Sequence, residues 1–209
     1  MKKTFFVVED HSLMRQGITG FLAEHSDFEC IGYASNSTDF FDAMQALGEK
    51  TLPAVLITDL NIEGSVEKGL SLIKNCRSEF PTVRIVVYSM HSAGGIVGAA
   101  FEAGCDGFVS KMSDEVELKN ALESAVLGKR YVDPQIAPNL VLFEMTLSKF
   151  SMRENEILRM ILQNKSNVQI AEELGINKRT VENCISRIYN KTGFSTHKEL
   201  IASFGSGEF

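Results

Sequence analysis

The chain has 209 residues, which suits one large domain or two small ones. Apolar residues make up 44% of it and charged residues 23%, a composition typical of a globular protein with a packed core and not of a disordered chain. The net charge of −6 argues against a uniformly basic nucleic-acid-binding protein, although it leaves room for one basic patch.

The N-terminal segment MKKTFFVV has two lysines and a short apolar run, as a secretory signal would. Glu9 and Asp10 follow at once, so the run is too short for export, and no stretch reaches the roughly 18 apolar residues that span a bilayer. The cysteines include no C-x-x-C pair, which predicts reduced thiols in a cytoplasmic protein and no metal or disulfide framework. They are Cys30, Cys76, Cys105 and Cys184.

Short apolar runs alternate with helical patterns over residues 1–128. The predicted strands are Thr4–Val8, Cys30–Ala34, Ala54–Thr58, Val83–Ser89 and Gly107–Ser110. The predicted helices are Leu13–Glu24, Thr38–Leu47, Leu70–Glu79, Ile96–Ala103 and Glu115–Leu127. Strands that alternate with helices of this length indicate βαβ units. We therefore predict an α/β fold with a doubly wound sheet of five parallel strands.

The alternation of strand and helix patterns ends near residue 128, and this change divides the chain. The stretch GKRYVDPQIAPNL brings glycine and two prolines, and we predict a linker over residues 129–145. The first domain would then span 1–128 and a second, all-helical domain 146–204, with GSGEF (205–209) as a tail that resembles a cloning remnant. Residues 146–204 carry nine Lys or Arg and six Asp or Glu, a charge of +3 that leaves −9 for the rest, so the two domains are expected to have different partners.

Capping patterns mark the helices of the second domain. Two segments begin with a serine followed three residues later by Glu or Gln, as in a capping box: Ser151 with Glu154, and Ser166 with Gln169. Asn177 is a favourable N-cap for the next helix, which is expected to end at Gly193. A fourth short helix is predicted over Thr196–Ser203.

Polar side chains follow the ends of the predicted strands. Glu9 and Asp10 follow the first strand, Asp59 the third, Ser89 the fourth and Lys111 the fifth. The carboxyl ends of parallel strands share one edge of the sheet, so these groups are expected in one crevice. Three carboxylates there repel one another unless a cation lies among them, and oxygen ligands suit Mg²⁺. Taken singly, each residue could be no more than a loop cap.

The sequences at these strand ends resemble those of two-component response regulators. VVEDH, LITDLN, VVYSMHS and GFVSK match that family in order and spacing, and SNVQIAEELGINKRTVENCISRIYNKTGF resembles the LuxR/NarL (FixJ) helix-turn-helix. The resemblance implies a flavodoxin-like receiver domain followed by a four-helix DNA-binding domain. It further implies a cytoplasmic transcription regulator, not an enzyme, that receives a phosphoryl group from a sensor histidine kinase, binds promoter DNA and forms a homodimer when phosphorylated.

The resemblance also implies roles for individual residues. The Mg²⁺ ligands would be Glu9, Asp10, Asp59 and the backbone carbonyl of Asn61. The phosphoryl group would involve Asp59 as acceptor, Lys111 as its cationic partner, Ser89 as the switch hydroxyl and Phe108 as the switch aromatic. These residue types suit the chemistry, because phosphoryl transfer needs an anionic acceptor and cations that neutralise charge on the transferred oxygens.

The loop after Asp59 departs from the family pattern. The family usually has Met-Pro and a glycine eight residues beyond the acceptor, whereas this chain has Ile62-Glu63, with Gly69 ten residues beyond Asp59. The loop is therefore two residues longer and places Glu63 and Glu67 near the expected site.

The helix expected after Asn177 has two unlike sides. At 100° per residue, Val181, Ile185 and Ile188 share a side with Cys184 at its margin, and this side is expected to pack. The other side is usually just a solvated surface, but here it matches the family's reading helix. The implied DNA contacts are Lys178, Arg179 and Thr180 to phosphates, and Glu182, Asn183 and Ser186 at base edges, with Arg187 beside them.

Rival interpretations remain open at the level of sequence. A phosphatase or phosphotransferase with an aspartate nucleophile is one, although haloacid-dehalogenase-type enzymes need an acid where Asn61 stands. A protein-interaction module that is never phosphorylated is another. The stretch SAGGIVGAA lacks the G-x-G-x-x-G spacing of a dinucleotide loop. Activation by dimerisation and activation by release of a covered reading helix are both compatible with the sequence.

Overall fold

The computed structural model describes residues 3–48 and 51–204. The chain forms two compact units. One runs from the start of the described chain to His91 and from Ala99 to Ile136, and the other comprises Ser92–Gly98 and the chain from Ala137 onward. The predicted tail at 205–209 lies outside the described residues. Across the described chain, no helix is long and apolar enough to cross a bilayer.

The first unit is built on a parallel sheet flanked by helices. The strands are β1 (Lys3–Val8), β2 (Phe28–Ala34), β3 (Val55–Thr58), β4 (Arg84–Ser89), β5 (Gly107–Ser110) and β6 (Tyr131–Val132). The helices of this part of the chain are α1 (Ser12–His25), α2 (Ser37–Leu47), α3 (Val66–Glu79), α4 (Gly94–Ala103) and α5 (Glu115–Val126). The strand order is β2-β1-β3-β4-β5-β6. The predicted α/β, doubly wound architecture is confirmed.

The predicted count of five strands is wrong, because the sheet has a sixth strand inside the stretch expected to be a linker. Tyr131 pairs with Gly107, and Val132 pairs with Phe108. A strand of two residues shows no alternation or apolar run that a sequence pattern could reveal.

The sheet is covered on both faces, which explains the unbroken apolar composition of its central strand. Val55, Leu56 and Ile57 of β3 are at most 1% exposed. Phe5 and Val7 of β1 join one core cluster with residues of α1 and α5, whereas the ring of Phe6 packs against Phe40 of α2. Burying each such side chain contributes roughly 1.5–3 kcal/mol to folding. These contacts fix the strand ends on which the site depends.

The second unit is helical from Ala137 onward. Its helices there are α6 (Ala137–Leu147), α7 (Met152–Leu162), α8 (Asn167–Glu173), α9 (Lys178–Thr192) and α10 (His197–Phe204). Both predicted capping boxes are present at the starts of α7 and α8. Asn177 accepts a hydrogen bond from the Thr180 amide at 2.8 Å, and Gly193 ends α9 in the left-handed region at φ 78°. The apolar sides of α7, α8 and α9 meet in one core.

Candidate functional site

The paired strands bring the predicted groups to one edge of the sheet. Val8 of β1 pairs with Thr58 of β3, and the Asp59 amide then donates to the Val8 carbonyl at 3.0 Å. On the other side of β4, the Lys111 amide donates to the Ser89 carbonyl at 2.9 Å. The chain therefore leaves β1, β3 and β5 at the same level, which places the side chains of the next residues together.

Lys111 bridges two carboxylates at this edge. Its Nζ lies 2.6 Å from Glu9 Oε2 and 2.7 Å from Asp59 Oδ2, and the three side chains are at most 7% exposed. Burial alone would raise the pKa of Asp59 and lower that of Lys111, because it disfavours charge. The ion pair outweighs burial, so the pKa of Asp59 is lowered and that of Lys111 is raised. Both groups are therefore charged at neutral pH.

The second oxygen of Asp59 is held by its own turn. Oδ1 accepts the Leu60 amide at 2.6 Å and the Asn61 amide at 3.2 Å. Ser89, which is fully buried, and the Asn61 amide also lower the pKa of Asp59 by hydrogen bonding to it. The carboxylate is thus fixed in orientation by backbone on one side and by Lys111 on the other.

The remaining acidic groups lie beside Lys111. Glu9 Oε1 accepts the His11 amide at 3.1 Å, and His11 Nδ1 lies 3.0 Å from Glu9 Oε1 and 2.7 Å from Asp10 Oδ1. Hydrogen bonding to Glu9 and the charges of Asp10 and Glu9 raise the pKa of His11. Among the described residues these three side chains are close enough to share a cation. Sequence reasoning missed His11, although the motif VVEDH contained it.

The donor set of this cluster fits a hard cation. Carboxylate oxygens from Glu9 and Asp59 already converge on one positive charge, that of Lys111. Among the described residues, Asp10 is grouped with Glu9 and His11, and this group does not include Asp59. Mg²⁺ takes oxygen ligands and keeps several waters, so a half-open group of carboxylates suits it. Phe108, the predicted switch aromatic, is fully buried in β5.

The long loop after Asp59 folds into a tight turn. The Ser65 amide donates to the Ile62 carbonyl at 3.1 Å, and the side chain of Ile62 is fully buried. Glu63 adopts φ 53°, which is uncommon for a residue other than glycine, and its carboxylate pairs with Lys68 at 3.3 Å. Helix α3 then begins at Val66, four residues before the predicted start.

Gly69 allows α3 to lie directly on the turn that holds Asp59. A Cβ at position 69 would overlap the backbone carbonyl of Leu60, the residue whose amide donates to Asp59. The glycine is therefore required by a close approach between a helix and the backbone of the site.

We expect Gly69→Ala to lower the free energy of unfolding by roughly 1–3 kcal/mol, because the added methyl group must displace backbone. Thermal unfolding of the full chain measures this. The control is Gly17→Ala in α1, where a Cβ meets no atom within 4 Å and helix propensity favours alanine. Equal melting temperatures for Gly69→Ala and Gly17→Ala would contradict the close-approach argument.

Helix α9 has the two sides that its sequence predicts. The packing residues Val181, Cys184, Ile185 and Ile188 are buried. The predicted contact residues are all exposed: Lys178, Arg179, Thr180, Glu182, Asn183, Ser186 and Arg187. Lys178 pairs with Glu182 at 3.5 Å one turn away, which neutralises part of the acidic charge on this side. The side chains of Arg179 and Asn183 form no hydrogen bond or ion pair with other residues that the structure describes.

A buried carboxylate fixes α9 against α7. Glu154, which is 3% exposed, accepts from Lys191 Nζ at 2.6 Å and from Arg187 Nε at 3.1 Å. The hydrogen bond from Lys191, followed by that from the Ser151 amide, lowers the pKa of Glu154 to about 2. Sequence reasoning missed this network, in which Arg187 has an intramolecular partner.

The low pKa of Glu154 makes the second unit sensitive to acid. Because this pKa is below that of an unfolded glutamate, the carboxylate stabilises the fold above about pH 4.5 and loses this effect as the pH falls towards 2. We expect Glu154→Gln to cost roughly 1–2 kcal/mol at pH 6, allowing for the exposure of the basic partners, and less than about half of that at pH 3. Calorimetry of the full chain at both pH values measures the difference.

The matched control for Glu154→Gln is Glu156→Gln on the same helix. Glu156 pairs with Arg153 at 2.8 Å on the surface, where such a pair contributes little. The melting temperature of the Glu156→Gln variant should equal that of the wild type at both pH values. If the difference in stability between wild type and Glu154→Gln is the same at pH 3 as at pH 6, the ionised carboxylate is not the stabilising group.

Comparison with known proteins gives matches over almost the whole chain. The profile of the response regulator receiver domain matches residues 5–123, and that of the bacterial regulatory proteins of the luxR family matches residues 148–204. Transcriptional activator protein ExaE of Pseudomonas putida is 27% identical over 203 residues, which cover 93% of this chain and 92% of ExaE. Transcriptional regulatory protein DesR of Bacillus subtilis is 28% identical over 198 residues, covering 95% and 94%.

Solved structures share the fold. RcsB from Salmonella enterica serovar Typhimurium, bound to promoter rprA in the presence of the phosphomimetic BeF3−, has a TM-score of 0.68 at 25% identity, covering 96% of this chain and 97% of that one. A structure of two RcsB dimers bound to two parallel DNAs has a TM-score of 0.70 at 24% identity, covering 97% and 98%. With both profiles matched in order, the chain belongs to the two-component response regulators of the LuxR family, transcription regulators that join a receiver domain to a DNA-binding helix-turn-helix domain.

Proposed function

We propose that Asp59 accepts a phosphoryl group from a phosphohistidine of a sensor histidine kinase, and that this modification switches promoter binding by the second domain. The observation that supports the proposal most directly is the ionised Asp59 carboxylate held against Lys111 at the carboxyl edge of the sheet. Its backbone hydrogen bonds to Leu60 and Asn61 keep it oriented before any donor arrives.

The transfer forms one bond and breaks another. An Asp59 carboxylate oxygen bonds to phosphorus while the P–N bond to the donor imidazole breaks, and the electron pair of that bond stays on the imidazole. Charge on the equatorial phosphoryl oxygens must be neutralised as this happens. Lys111 can supply a cation there without travelling far, because its Nζ is already 2.7 Å from Asp59 Oδ2.

Receiver domains generally bind Mg²⁺ for phosphorylation. In this chain we assign the ion to Glu9, Asp10, Asp59 and the Asn61 backbone carbonyl. When bound, Mg²⁺ supplies further neutralisation of the phosphoryl oxygens. The metal would neutralise the carboxylate of Glu9, whose Oε2 is 2.6 Å from Lys111 Nζ. Lys111 would then be free to pair with the phosphoryl group.

Phosphorylation would redistribute charge at this edge. A phosphoryl group brings about −1.5 to −2 charge and strong acceptor oxygens, which attract a hydroxyl and a cation. Ser89 is the hydroxyl at the end of β4, and Phe108 lies in the neighbouring strand. We assign these residues the family roles of switch hydroxyl and switch aromatic.

We assign DNA binding to the exposed side of α9. Lys178, Arg179 and Thr180 would contact phosphates, and the base-edge residues would be Glu182, Asn183 and Ser186, with Arg187 beside them. Arg179 and Asn183 are the best supported of these, because no described residue competes for their side chains. Arg187 is less well supported, because its side chain already pairs with Glu154.

The remaining assignments follow from the same proposal. The receiver domain would span 1–128 and the DNA-binding domain 146–204, in a cytoplasmic protein. The predicted linker 129–145 is not an unstructured connection, because β6 extends the sheet of the first unit and α6 belongs to the second unit. The partners would be a histidine kinase, duplex promoter DNA and a second copy of the chain. RcsB has been solved as dimers on DNA, which supports a homodimer on adjacent half-sites. Release of a covered reading helix is the alternative route to activation.

We expect acetyl phosphate with Mg²⁺ to add one phosphate to the wild-type chain and none to Asp59→Asn, because the amide is not a nucleophile for phosphorus. Intact mass measures the addition. Asp39→Asn, an exposed aspartate in the first turn of α2, is the matched control and should label like wild type. Labelling of Asp59→Asn at the wild-type rate would reject the assignment, and with it the proposed switch.

We expect Arg179→Ala to weaken binding to all duplex sequences alike and to reduce the salt dependence of log K by about 1, because one phosphate contact is lost. Asn183→Ala should instead change the preference among sequences. Fluorescence anisotropy at several salt concentrations measures both, with Lys198→Ala on α10 as the charge-matched control. A uniform loss for Lys198→Ala equal to that for Arg179→Ala would contradict the role of α9.

A further inference from the structure

The chain returns to the receiver sheet after α5 and runs beside the strand that carries Lys111. The Tyr131 amide donates to the Asp106 carbonyl at 2.9 Å, and the Asp133 amide donates to the Phe108 carbonyl at 2.9 Å. These bonds and the pairing of β6 with β5 keep residues 131–133 within the first unit. The segment ends at Ile136, the last residue of that unit.

Asp133 places a buried carboxylate on the end of β5. Its Oδ2 accepts the Ser110 amide at 3.0 Å, and its Oδ1 accepts the Gln135 amide at 2.8 Å. The residue is fully buried and has no ion-pair partner among the described residues. Burying a carboxylate without a cationic partner costs free energy. The hydrogen bond that Asp133 accepts from the Ser110 amide therefore calls for an explanation.

The chain around Lys111 is held on both sides by this segment and by β4. Ser110, whose amide Asp133 accepts, is the residue directly before Lys111. The Lys111 amide itself donates to the Ser89 carbonyl. Beyond the lysine, Ser113 Oγ donates to Gln135 Oε1 at 3.0 Å. The backbone of Lys111 is thereby fixed between two attachment points.

We propose that Asp133 is a positioning residue for Lys111: by accepting the Ser110 amide, it fixes the end of β5 so that the ammonium group lies between Glu9 and Asp59. This inference rests on the proposed role of Asp59 as phosphoacceptor. Asp133 acts through the backbone and does not contact the phosphoryl group. Its carboxylate satisfies a buried amide that would otherwise draw the strand end towards water, away from the geometry that a transfer reaction needs.

The side-chain chemistry separates this role from a general contribution to folding. Alanine at position 133 removes both acceptors, whereas asparagine keeps one carbonyl oxygen for Ser110 at unchanged volume. Asp114 is the matched control, because it lies three residues after Lys111 and its Oδ1 accepts a backbone amide, that of Val116, on the exposed surface. Asp114→Ala removes the same charge without touching the end of β5.

The experiment measures initial rates of labelling of the full chain by acetyl phosphate with Mg²⁺, below the melting temperature of each variant. We expect Asp133→Ala to label about tenfold more slowly than wild type, since a displacement of about 1 Å can cost up to 100-fold. Asp133→Asn should be slowed by only about two- to threefold, and Asp114→Ala should match wild type. A wild-type rate for Asp133→Ala would overturn the inference.

A double-mutant cycle with Lys111→Ala decides whether Asp133 acts through the lysine. If it does, Asp133→Ala has no further effect on the residual rate of Lys111→Ala, whereas independent contributions multiply. Multiplying effects would overturn the inference. Should Asp133→Ala fail to fold, the same cycle with Asp133→Asn gives the same decision.

The proposed function and the role of Asp133 can be rejected separately. A wild-type chain that acetyl phosphate does not label would reject the proposed function. A wild-type chain that labels, together with an Asp133→Ala variant that labels equally fast, would reject the role of Asp133 alone.

Discussion

The structure of the receiver site depends on one lysine ammonium shared by two buried carboxylates. Lys111 lies 2.6 Å from Glu9 and 2.7 Å from Asp59, in a position where none of the three side chains is more than 7% exposed. Each charge is tolerable only because the others are present, since removing one partner of a buried ion pair leaves an uncompensated charge. The pairing of β1 with β3 and of β4 with β5 brings these residues together.

The same dependence would allow the site to act as the proposed switch. A group that is held by a neighbour's charge must respond when that charge changes, and on the proposed function a phosphoryl group on Asp59 would replace the single carboxylate charge by about −1.5 to −2 spread over the phosphate oxygens. On that proposal Lys111 would be drawn from Glu9 towards the new oxygens, while the end of β5 is restrained by hydrogen bonds to the Ser89 carbonyl on one side and to Asp133 on the other. This restraint matters because a change of charge at Asp59 can displace other parts of the domain only if the backbone around the site does not simply relax.

Much of the fold and of the receiver site could be predicted from the sequence, because parallel strands place their carboxyl ends along one edge. This geometry alone predicts that Glu9, Asp59 and Lys111 lie together, and Lys111 Nζ is within 2.7 Å of both carboxylates. The buried and exposed sides of α9 could be predicted equally well, since a period of 3.6 residues separates buried from exposed positions.

What the sequence did not reveal are contacts between distant segments that leave no periodic pattern. Strand β6 is two residues long, so Asp133 stood in an apparent linker. The bond from Arg187 to Glu154 joins residues 33 positions apart, and helical spacing predicts the exposure of an arginine but not its partner. Gly69 is required by the backbone of Leu60, which no side-chain pattern records.

The most direct test of the account is the affinity of the full chain for a selected promoter duplex, measured before and after treatment with acetyl phosphate and Mg²⁺. The wild type should bind more tightly once phosphorylated, and Asp59→Asn should show one unchanged affinity under both conditions. Equal affinity of the phosphorylated and unphosphorylated wild type, with labelling verified by mass, would contradict the claim that the charge at Asp59 controls the DNA-binding domain.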